Sequence, residues 1–419
     1  MKRNSRFFCV VFLIALAFVG NSCGAPESVS KQTNPTTVSL GDWMLYFDIG
    51  SDEIPINIEF ALNETGLLVA NVVNAKEIIL IEKITLDKDS MIFEMPLFNS
   101  KFFTKIHSKD SLTGYWINYN KSADYKIPVR IVSGKKPRFT GGDRAVSLKD
   151  RWRVTFNPEK KEDSYDAIGV FHTQEGAGIA GTFLTETGDY RFLDGNIIND
   201  SLKLSCFDGA HLFLFKARVQ GDSLTGGKFH SGNHYLGLWN GVANNDYELR
   251  DPNDITNIIN NKSWRDVKVR SVDNKELALG EMNLENKVSI IQIMGTWCPN
   301  CVDESIYFKE LHQKYSDAGL KIVPVCFEKE HLAFDLMTRF KERLGLPYSI
   351  YLGGKLSKNE AVKVFPMLND IISFPTSMII DKNGVVRKIH TGFYGPSTGD
   401  YYTNYTKEMD SFISTLLKE

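Results

Sequence analysis

The hydrophobic pattern divides the chain into two parts with different periods. Between about residues 40 and 245, short runs of alternating apolar and polar residues, such as 102–106, 129–132 and 212–216, are broken by Gly, Asn and Asp turns. This spacing is typical of an antiparallel sandwich or barrel. Further on, the apolar run 287–294 precedes a segment with helical periodicity. The chain is therefore predicted to be multidomain, with an all-β N-terminal part and an α/β C-terminal part.

The β part contains an internal repeat. Asp110-Ser-Leu-Thr-Gly114 recurs as Asp222-Ser-Leu-Thr-Gly226, and Trp43 and Trp152 open the two copies at similar offsets. The period of roughly 110 residues is far above that of solenoid repeats. We expect two β repeats, at 39–145 and 146–245, in which the repeated pentapeptide is a turn that leads into a strand. A linker rich in Asp and Asn, 246–262, should then join the second repeat to a domain at 263–419.

The N-terminus has the pattern of a targeting segment. Lys2, Arg3 and Arg6 precede the apolar stretch 7–19, which is short for a membrane span and typical of a signal-peptide core. Cys23 follows Ser22 in a context that resembles a lipoprotein cleavage site. Residues 1–22 are thus predicted to be a signal peptide, Cys23 a lipidation site and 23–38 a flexible tether. Soluble secretion and an uncleaved anchor remain alternatives.

Composition narrows the function classes. With 419 residues and 42% apolar content the chain can bury two or more cores, and a net charge of -2 gives no reason to expect nucleic acid as a partner. Of six cysteines, two fall in the targeting segment and two in a CxxC motif. Cys206 and Cys326 are expected in different domains, so no structural disulfide framework is implied.

The motif Trp297-Cys298-Pro299-Asn300-Cys301 lies where the predicted buried strand ends and the helix begins. Backbone N–H groups and the helix dipole stabilise a thiolate at such a position, which makes Cys298 the expected nucleophile. Cys301, one turn deeper, is placed to attack the resulting mixed disulfide. A zinc site would need a second pair of Cys or His ligands, and the sequence offers no such spacing. We therefore expect neither a metal nor a cofactor.

Downstream, Ser373-Phe374-Pro375-Thr376 introduces a second apolar strand, and the turn Lys382-Asn383-Gly384 leads into a third. Together with the CxxC motif, this resembles the thioredoxin fold, and within it the TlpA/ResA-like thiol-disulfide oxidoreductases of the bacterial envelope, over about 263–419. The resemblance also covers a helix-bearing segment at about 346–372.

The resemblance implies a set of site residues. Cys298 and Cys301 would form the redox disulfide, and Pro375 would be the cis-proline that faces them. Trp297, Pro299 and Phe374 would shape the substrate site, and Glu304 would match the family's acidic residue.

Two positions depart from the family pattern. Gln292 stands where thioredoxins have a buried Asp, and Met294 stands where an aromatic residue is common. The missing Asp makes Glu304 the leading candidate for a proton acceptor, although an ordinary acidic residue near a helix start is the alternative. Glu328 ends the next predicted strand and could face the site, although a solvated carboxylate at a strand end is the favoured interpretation. Cys326 should be an inert packing residue.

His211, in Cys206-Phe-Asp-Gly-Ala-His211, is present in only one repeat and invites a site hypothesis. A histidine at the start of a strand is more often structural, and that is the interpretation favoured. The β part resembles accessory modules of envelope lipoproteins and is not expected to supply a function of its own.

The sequence thus predicts an envelope thiol-disulfide oxidoreductase that is anchored by lipid on the periplasmic side. It would reduce disulfides of protein substrates and be re-reduced by a membrane thiol donor. In one alternative, the β module binds a ligand and the thioredoxin fold senses redox state or docks partners. A thiol peroxidase is another alternative, although Thr296 lies two residues before Cys298, where a peroxiredoxin has a Thr three residues before its cysteine.

Overall fold

The computed structural model describes residues 37–141, 147–174 and 178–419. The predicted signal peptide, Cys23 and nearly all of the predicted tether lie outside these ranges. The described chain contains two β units followed by a mixed α/β domain.

The first β unit is a nine-stranded antiparallel sheet in the order β4-β3-β2-β1-β9-β8-β7-β6-β5. Alternate side chains of its strands point inward, so that large residues such as Trp43, Phe60 and Trp116 are buried. The strands are β1 (Gly41–Asp48), β2 (Glu53–Leu62), β3 (Leu68–Asn74), β4 (Glu77–Ile81), β5 (Ile84–Asp87), β6 (Ser90–Glu94), β7 (Ser100–Ser108), β8 (Ser111–Asn118) and β9 (Lys126–Ser133).

The second β unit repeats this meander and closes on itself, because β11 pairs with both β10 and β12. Its interior is filled by aromatic rings, including Phe156, Phe183, Phe215 and Trp239. The strands are β10 (Arg151–Phe156), β11 (Tyr165–Thr173), β12 (Gly178–Thr185), β13 (Gly188–Asp189), β14 (Leu193–Ile198), β15 (Ser201–Phe207), β16 (Leu212–Gln220), β17 (Ser223–Ser231) and β18 (Tyr235–Ala243).

The internal repeat is visible in the strands. Ser111 starts β8 and Ser223 starts β17, so the repeated pentapeptide is a turn leading into a strand, as predicted. Trp43 and Trp152 lie on the opening strands β1 and β10 and donate their indole N–H to the carbonyls of Ser39 and Lys149. The all-β class and the two-repeat organisation are confirmed. The exact boundaries drawn at 145, 245 and 262 stay predictions.

The two β units share a core. Phe207, Leu212 and Leu214 of the second unit pack into the hydrophobic cluster of the first. Asn74 of β3 donates to the carbonyl of Phe207 at 2.9 Å and accepts from its N–H at 3.2 Å. Shared burial of this kind makes the two repeats one packed module.

The C-terminal domain has a seven-stranded sheet in the order β20-β19-β23-β22-β21-β24-β25. The central strands β21, β22 and β23 are parallel, and β24 and β25 are antiparallel to β21 and β24 respectively. This is the thioredoxin-like α/β fold that the sequence predicted. The strands are β19 (Lys268–Arg270), β20 (Glu276–Ala278), β21 (Val288–Met294), β22 (Leu320–Glu328), β23 (Tyr351–Lys355), β24 (Thr376–Ile380) and β25 (Val386–Thr391); the helices are α1 (Pro299–Tyr315), α2 (Ala333–Leu344), α3 (Lys358–Val364) and α4 (Asp400–Lys418).

The segment between the β module and this domain lies on the domain's surface. The N–H of Thr391 donates to the carbonyl of Pro252 at 3.0 Å, and its hydroxyl donates to Thr256 at 2.7 Å. Ile258 forms a β-bridge with Leu368. The segment therefore holds the two parts together. Within the described ranges, the structure contains no helix long and apolar enough to cross a membrane.

Candidate active site

The junction of β21 and α1 positions the two cysteines of the motif. Strand β21 is buried along its whole length between β22 and β24, which fixes where its end points. Helix α1 starts at Pro299, a favoured first residue because proline lacks the N–H that would be unpaired there. Cys298 is the residue that caps this helix start. Its sulfur accepts the N–H of Cys301 at 3.3 Å.

Cys298 is the accessible thiol of the pair, although only 7% of it is exposed, and Cys301 is fully buried. Both are free thiols. Burial, together with the neighbouring Cys298 sulfur and the Glu304 carboxyl, raises the pKa of Cys301 well above its ordinary value. The pair therefore has the asymmetry that sequential exchange requires, with one thiol at the surface and one behind it.

The loop before β24 faces the cysteines. The Phe374–Pro375 peptide bond is cis, as the resemblance implied. The Cys298 thiol donates to the carbonyl of Phe374 at 3.3 Å. Trp297 meets the Phe374 ring edge to face, with centroids 5.6 Å apart, and its indole N–H donates to the carbonyl of Phe327 at 3.0 Å. Trp297, Pro299, Phe374 and Pro375 are thus brought together around Cys298.

Glu304 is fully buried in the first half of α1, unlike an ordinary acidic residue at a helix start. Its Oε2 accepts from Gln292 Nε2 at 2.8 Å and from Ser377 Oγ at 3.0 Å. Its Oε1 has no hydrogen-bond partner among the residues that the structure describes. Burial raises the pKa of Glu304 to about 8, although the two hydrogen bonds work to lower it. Gln292, which replaces the thioredoxin Asp, holds this carboxyl in place.

The expectation for Glu328 is wrong. Only 1% of Glu328 is exposed, because β22 carries its end into the core beside Trp297 instead of into solvent. Its Oε1 accepts from the N–H of Thr296 at 2.5 Å and from the Cys326 thiol at 3.0 Å. Burial raises the pKa of Glu328. Cys326 is buried, as predicted, but its thiol donates to this second carboxyl near the site.

The second β unit contacts the CxxC region directly, which sequence analysis missed. The carbonyl of Thr187 accepts from Ser373 Oγ at 2.7 Å, next to the cis-proline loop. Gly188, at φ +134°, lies so close to Asn300 that a Cβ there would stand 1.9 Å from its Nδ2. Asp189 accepts from the N–H of Gly395 at 2.6 Å. No sequence signal pairs this barrel loop with residues more than 100 positions away.

Arg191, on the same loop, joins all three parts of the molecule. It donates to Glu77 of the first sheet at 2.6 Å and to Asp303 of α1. It also lies 3.7 Å from Asp208, which belongs to the same β unit as Arg191. Burial works to lower the pKa of Arg191, but these carboxylates and Asp189 raise it well above its usual value. Burial raises the pKa of Asp303 to about 7, although the Arg191 guanidinium works to lower it. The effect of Arg191 is limited because several carboxyl groups share this one cation.

His211 also lies at this boundary, half-buried on the barrel. Its Nδ1 is 3.2 Å from Asp208 Oδ2, and its ring stacks on Phe213 with centroids 4.6 Å apart. The structural interactions that were expected are present. The exposed part of the ring nevertheless lines the same cleft as Cys298.

Comparison with known proteins places the similarity in the C-terminal domain. Residues 260–403 match the Redoxin family model. A thiol-disulfide oxidoreductase ResA of Halalkalibacterium halodurans is 29% identical over 26% of this chain and 56% of its own length. The ResA of Geobacillus thermodenitrificans is 34% identical over 24% of this chain and 53% of its own. The chain thus spans a little over half the length of these two relatives.

Among solved structures, a secreted thiol-disulfide isomerase from Corynebacterium glutamicum aligns with 41% of this chain and 98% of its own. The sequence identity is 16% and the TM-score is 0.31.

Proposed function

Since the C-terminal region carries a Redoxin domain whose homologues are named thiol-disulfide oxidoreductases, we propose that this chain catalyses thiol–disulfide exchange through Cys298 and Cys301. The observation that carries the proposal is the arrangement of the two thiols. Cys298 caps α1 and accepts the Cys301 N–H, while Cys301 lies buried one turn behind it. A thiolate at that position is stabilised by the helix start, and the buried thiol can reach only a disulfide formed on Cys298.

The reaction follows in two steps. The Cys298 thiolate attacks one sulfur of a substrate disulfide, a new S–S bond forms, and the other sulfur leaves as a thiolate that takes a proton from water. Cys301 then loses its proton and attacks Cys298, which releases the second substrate thiol and leaves the Cys298–Cys301 disulfide. The substrate gains two electrons, and an external dithiol donor returns two electrons to the pair. Protein disulfides are the proposed substrates, and a membrane thiol protein is the proposed donor.

Trapping distinguishes the roles of the two cysteines. Cys301→Ser should accumulate a mixed disulfide with a model peptide disulfide, because attack by Cys298 continues and resolution does not. Cys298→Ser should accumulate far less adduct, and Cys326→Ser, which removes a buried thiol outside the motif, should behave as wild type. Mass spectrometry of the protein after reaction measures the adduct. Equal trapping by the two motif variants, or trapping only in Cys298→Ser, contradicts the assignment.

The site of action is proposed from the N-terminal pattern, since those residues lie outside the described structure. A signal peptide followed by acylated Cys23 would tether the chain to an envelope membrane, with the redox domain on the periplasmic side. Cells that express the full chain should incorporate a fatty-acid analogue into it, and Cys23→Ala should abolish the labelling. Cys9→Ala is the matched control, because Cys9 belongs to the predicted signal peptide. Undiminished labelling of Cys23→Ala rules out this anchor.

A further inference from the structure

A cleft of about 860 Å³ lies between the closed barrel of the second β unit and the CxxC face of the redox domain. One wall contains Trp297, Cys298, Pro299 and Asn300, and the facing wall is formed by the second β unit together with residues 247–250 of the segment that follows it. Its volume lies in the range of about 300–1,000 Å³ in which binding sites bury most of a ligand's surface. A substrate disulfide that reaches Cys298 through this cleft must therefore touch the barrel as well.

The facing wall is aromatic, and contacts within it fix its rings. Tyr165 and Tyr190 join their hydroxyls at 2.6 Å, and Phe213 lies under the His211 ring. Tyr247 donates its hydroxyl to Asp166 at 2.9 Å, and the Arg153 guanidinium lies 4.7 Å from the centre of its ring. Such preformed rings bind apolar and aromatic side chains at little entropic cost, which favours a substrate that carries them.

The charges along the cleft are largely compensated. Among the described residues, the lining carboxyl groups are those of Asp166, Glu186, Asp189 and Glu248. Three of them are paired with guanidinium groups: Glu186 with Arg250 at 2.6 Å, Glu248 with Arg151 at 2.7 Å and Asp166 with Arg153 at 2.9 Å. The aromatic rings, and not net charge, are therefore the feature of the cleft that can distinguish substrates.

Access to the sulfur is narrow. Only 7% of Cys298 is exposed, and the barrel loop with Thr187 covers the surface beside the cis-proline loop. Because a second wall stands opposite this sulfur, the cleft favours a disulfide on an extended segment over one on the face of a folded domain. An extended segment of a few residues fits a cleft of this size.

We propose that this cleft is the substrate-binding site and that its facing wall selects disulfides carried by extended polypeptide segments with an aromatic residue near the cysteine. The inference rests on the proposed exchange activity. It assigns the choice of substrate to the β module and the segment that follows it, while Cys298 and Cys301 do the chemistry.

The test compares three disulfides on the full chain. Two are peptides that differ only in one residue beside the cysteine, Phe in one and Ser in the other, and the third is the small neutral hydroxyethyl disulfide as the reference. We expect kcat/KM for the Phe peptide to exceed that for the Ser peptide by about threefold or more, since the Phe ring gains contacts with the aromatic rings of the facing wall.

Variants then locate the selectivity. Tyr247→Ala should lower the ratio of kcat/KM for the Phe peptide to that for the reference by about threefold or more. Tyr46→Ala is the matched control, because Tyr46 is also a half-buried ring beneath an arginine, Arg130 at 4.0 Å, but belongs to the first sheet and does not line the cleft.

The outcomes separate the two proposals. Failure to reduce any of the three disulfides, the reference included, would remove the exchange activity itself. Turnover of the reference with equal rates for both peptides, or a ratio that Tyr247→Ala does not change, would remove the facing wall from substrate selection and leave the exchange activity standing.

Discussion

At the scale of single residues, two carboxyl groups near the cysteines, those of Glu304 and Glu328, show which features of the site the sequence can predict and which it cannot. Glu304 could be found because it keeps a fixed spacing from the CxxC motif on one helix. The burial of Glu328 was not expected, because a carboxylate at a strand end is usually solvated and its burial depends on how Trp297 and the N–H of Thr296 pack over it. Burial of a charged group is a tertiary property that local sequence does not report.

The Glu304 carboxyl has a testable role in the resolving step. Cys301 must lose its proton although burial disfavours its thiolate, and the unpartnered Oε1 of Glu304 is a proton acceptor held in place by Gln292 and Ser377. Glu304→Gln should slow decay of the mixed disulfide by about tenfold or more near neutral pH. In wild type, that rate should rise as pH passes through about 8, where the carboxyl ionises, and the variant should lack this rise.

The contribution of Glu304 to folding stability should fall as pH rises, whereas the rate of the resolving step should increase. The pKa of Glu304 is higher in the folded state than the ordinary 4.5, so the folded protein retains this proton longer than the unfolded chain. Its contribution to stability is therefore full below about pH 4.5 and is lost as pH rises toward 8, a loss that Glu304→Gln escapes. Rapid-quench assays across pH measure the rate, and urea unfolding across pH measures the stability. Glu310→Gln is the control, because Glu310 is exposed on the same helix. A variant with the wild-type rate profile would leave Glu304 as a packing residue only.

At the scale of elements, local patterns were sufficient to predict most of the fold. The buried run before the CxxC motif, the proline before β24 and the turn at 382–384 each specify a strand end through their own residues. The Asp-Ser-Leu-Thr-Gly turns likewise revealed both repeats. The pattern did not show that the second unit closes while the first ends in edge strands, because closure depends on the long-range pairing of β11 with β12.

The same limit applies to the loop between β12 and β14. Its sequence, with Thr187, Gly188 and Asp189, is that of an ordinary hairpin. Its position against α1 and the cis-proline loop follows from the docking of the barrel as a rigid unit. The description of the β part as an accessory module without a part in the site was therefore incomplete.

At the scale of the whole molecule, the docking of three units depends on buried charge. Arg191 is 8% exposed in its side chain and faces Glu77, Asp208 and Asp303, which come from three different units. One guanidinium cannot neutralise all of these carboxylates, so burial leaves the pKa of Asp303 at about 7 and also raises that of Glu77. The junction thus combines one buried cation with two carboxyl groups, those of Asp303 and Glu77, whose raised pKa values favour their neutral forms.

Arg191→Met should destabilise this junction, because it leaves several buried carboxylates without their cation, and breaking a buried ion pair typically costs about 3–5 kcal/mol. Arg130→Met, which breaks an exposed pair with Glu53, should cost less than about 1 kcal/mol.

The loss of folding stability in Arg191→Met should depend on pH. Without the guanidinium, the pKa values of Asp303 and Glu77, which burial already raises, lie further above those of the unfolded chain, so stability falls as pH rises from about 4 through 7 and beyond. The urea midpoint of Arg191→Met should therefore be lowered more at pH 8 than at pH 5. Adding Asp303→Asn should restore part of the loss at pH 8, since it removes one of the opposing charges. If Arg191→Met loses no more than Arg130→Met at both pH values, or if Asp303→Asn restores nothing, packing alone holds the barrel against α1.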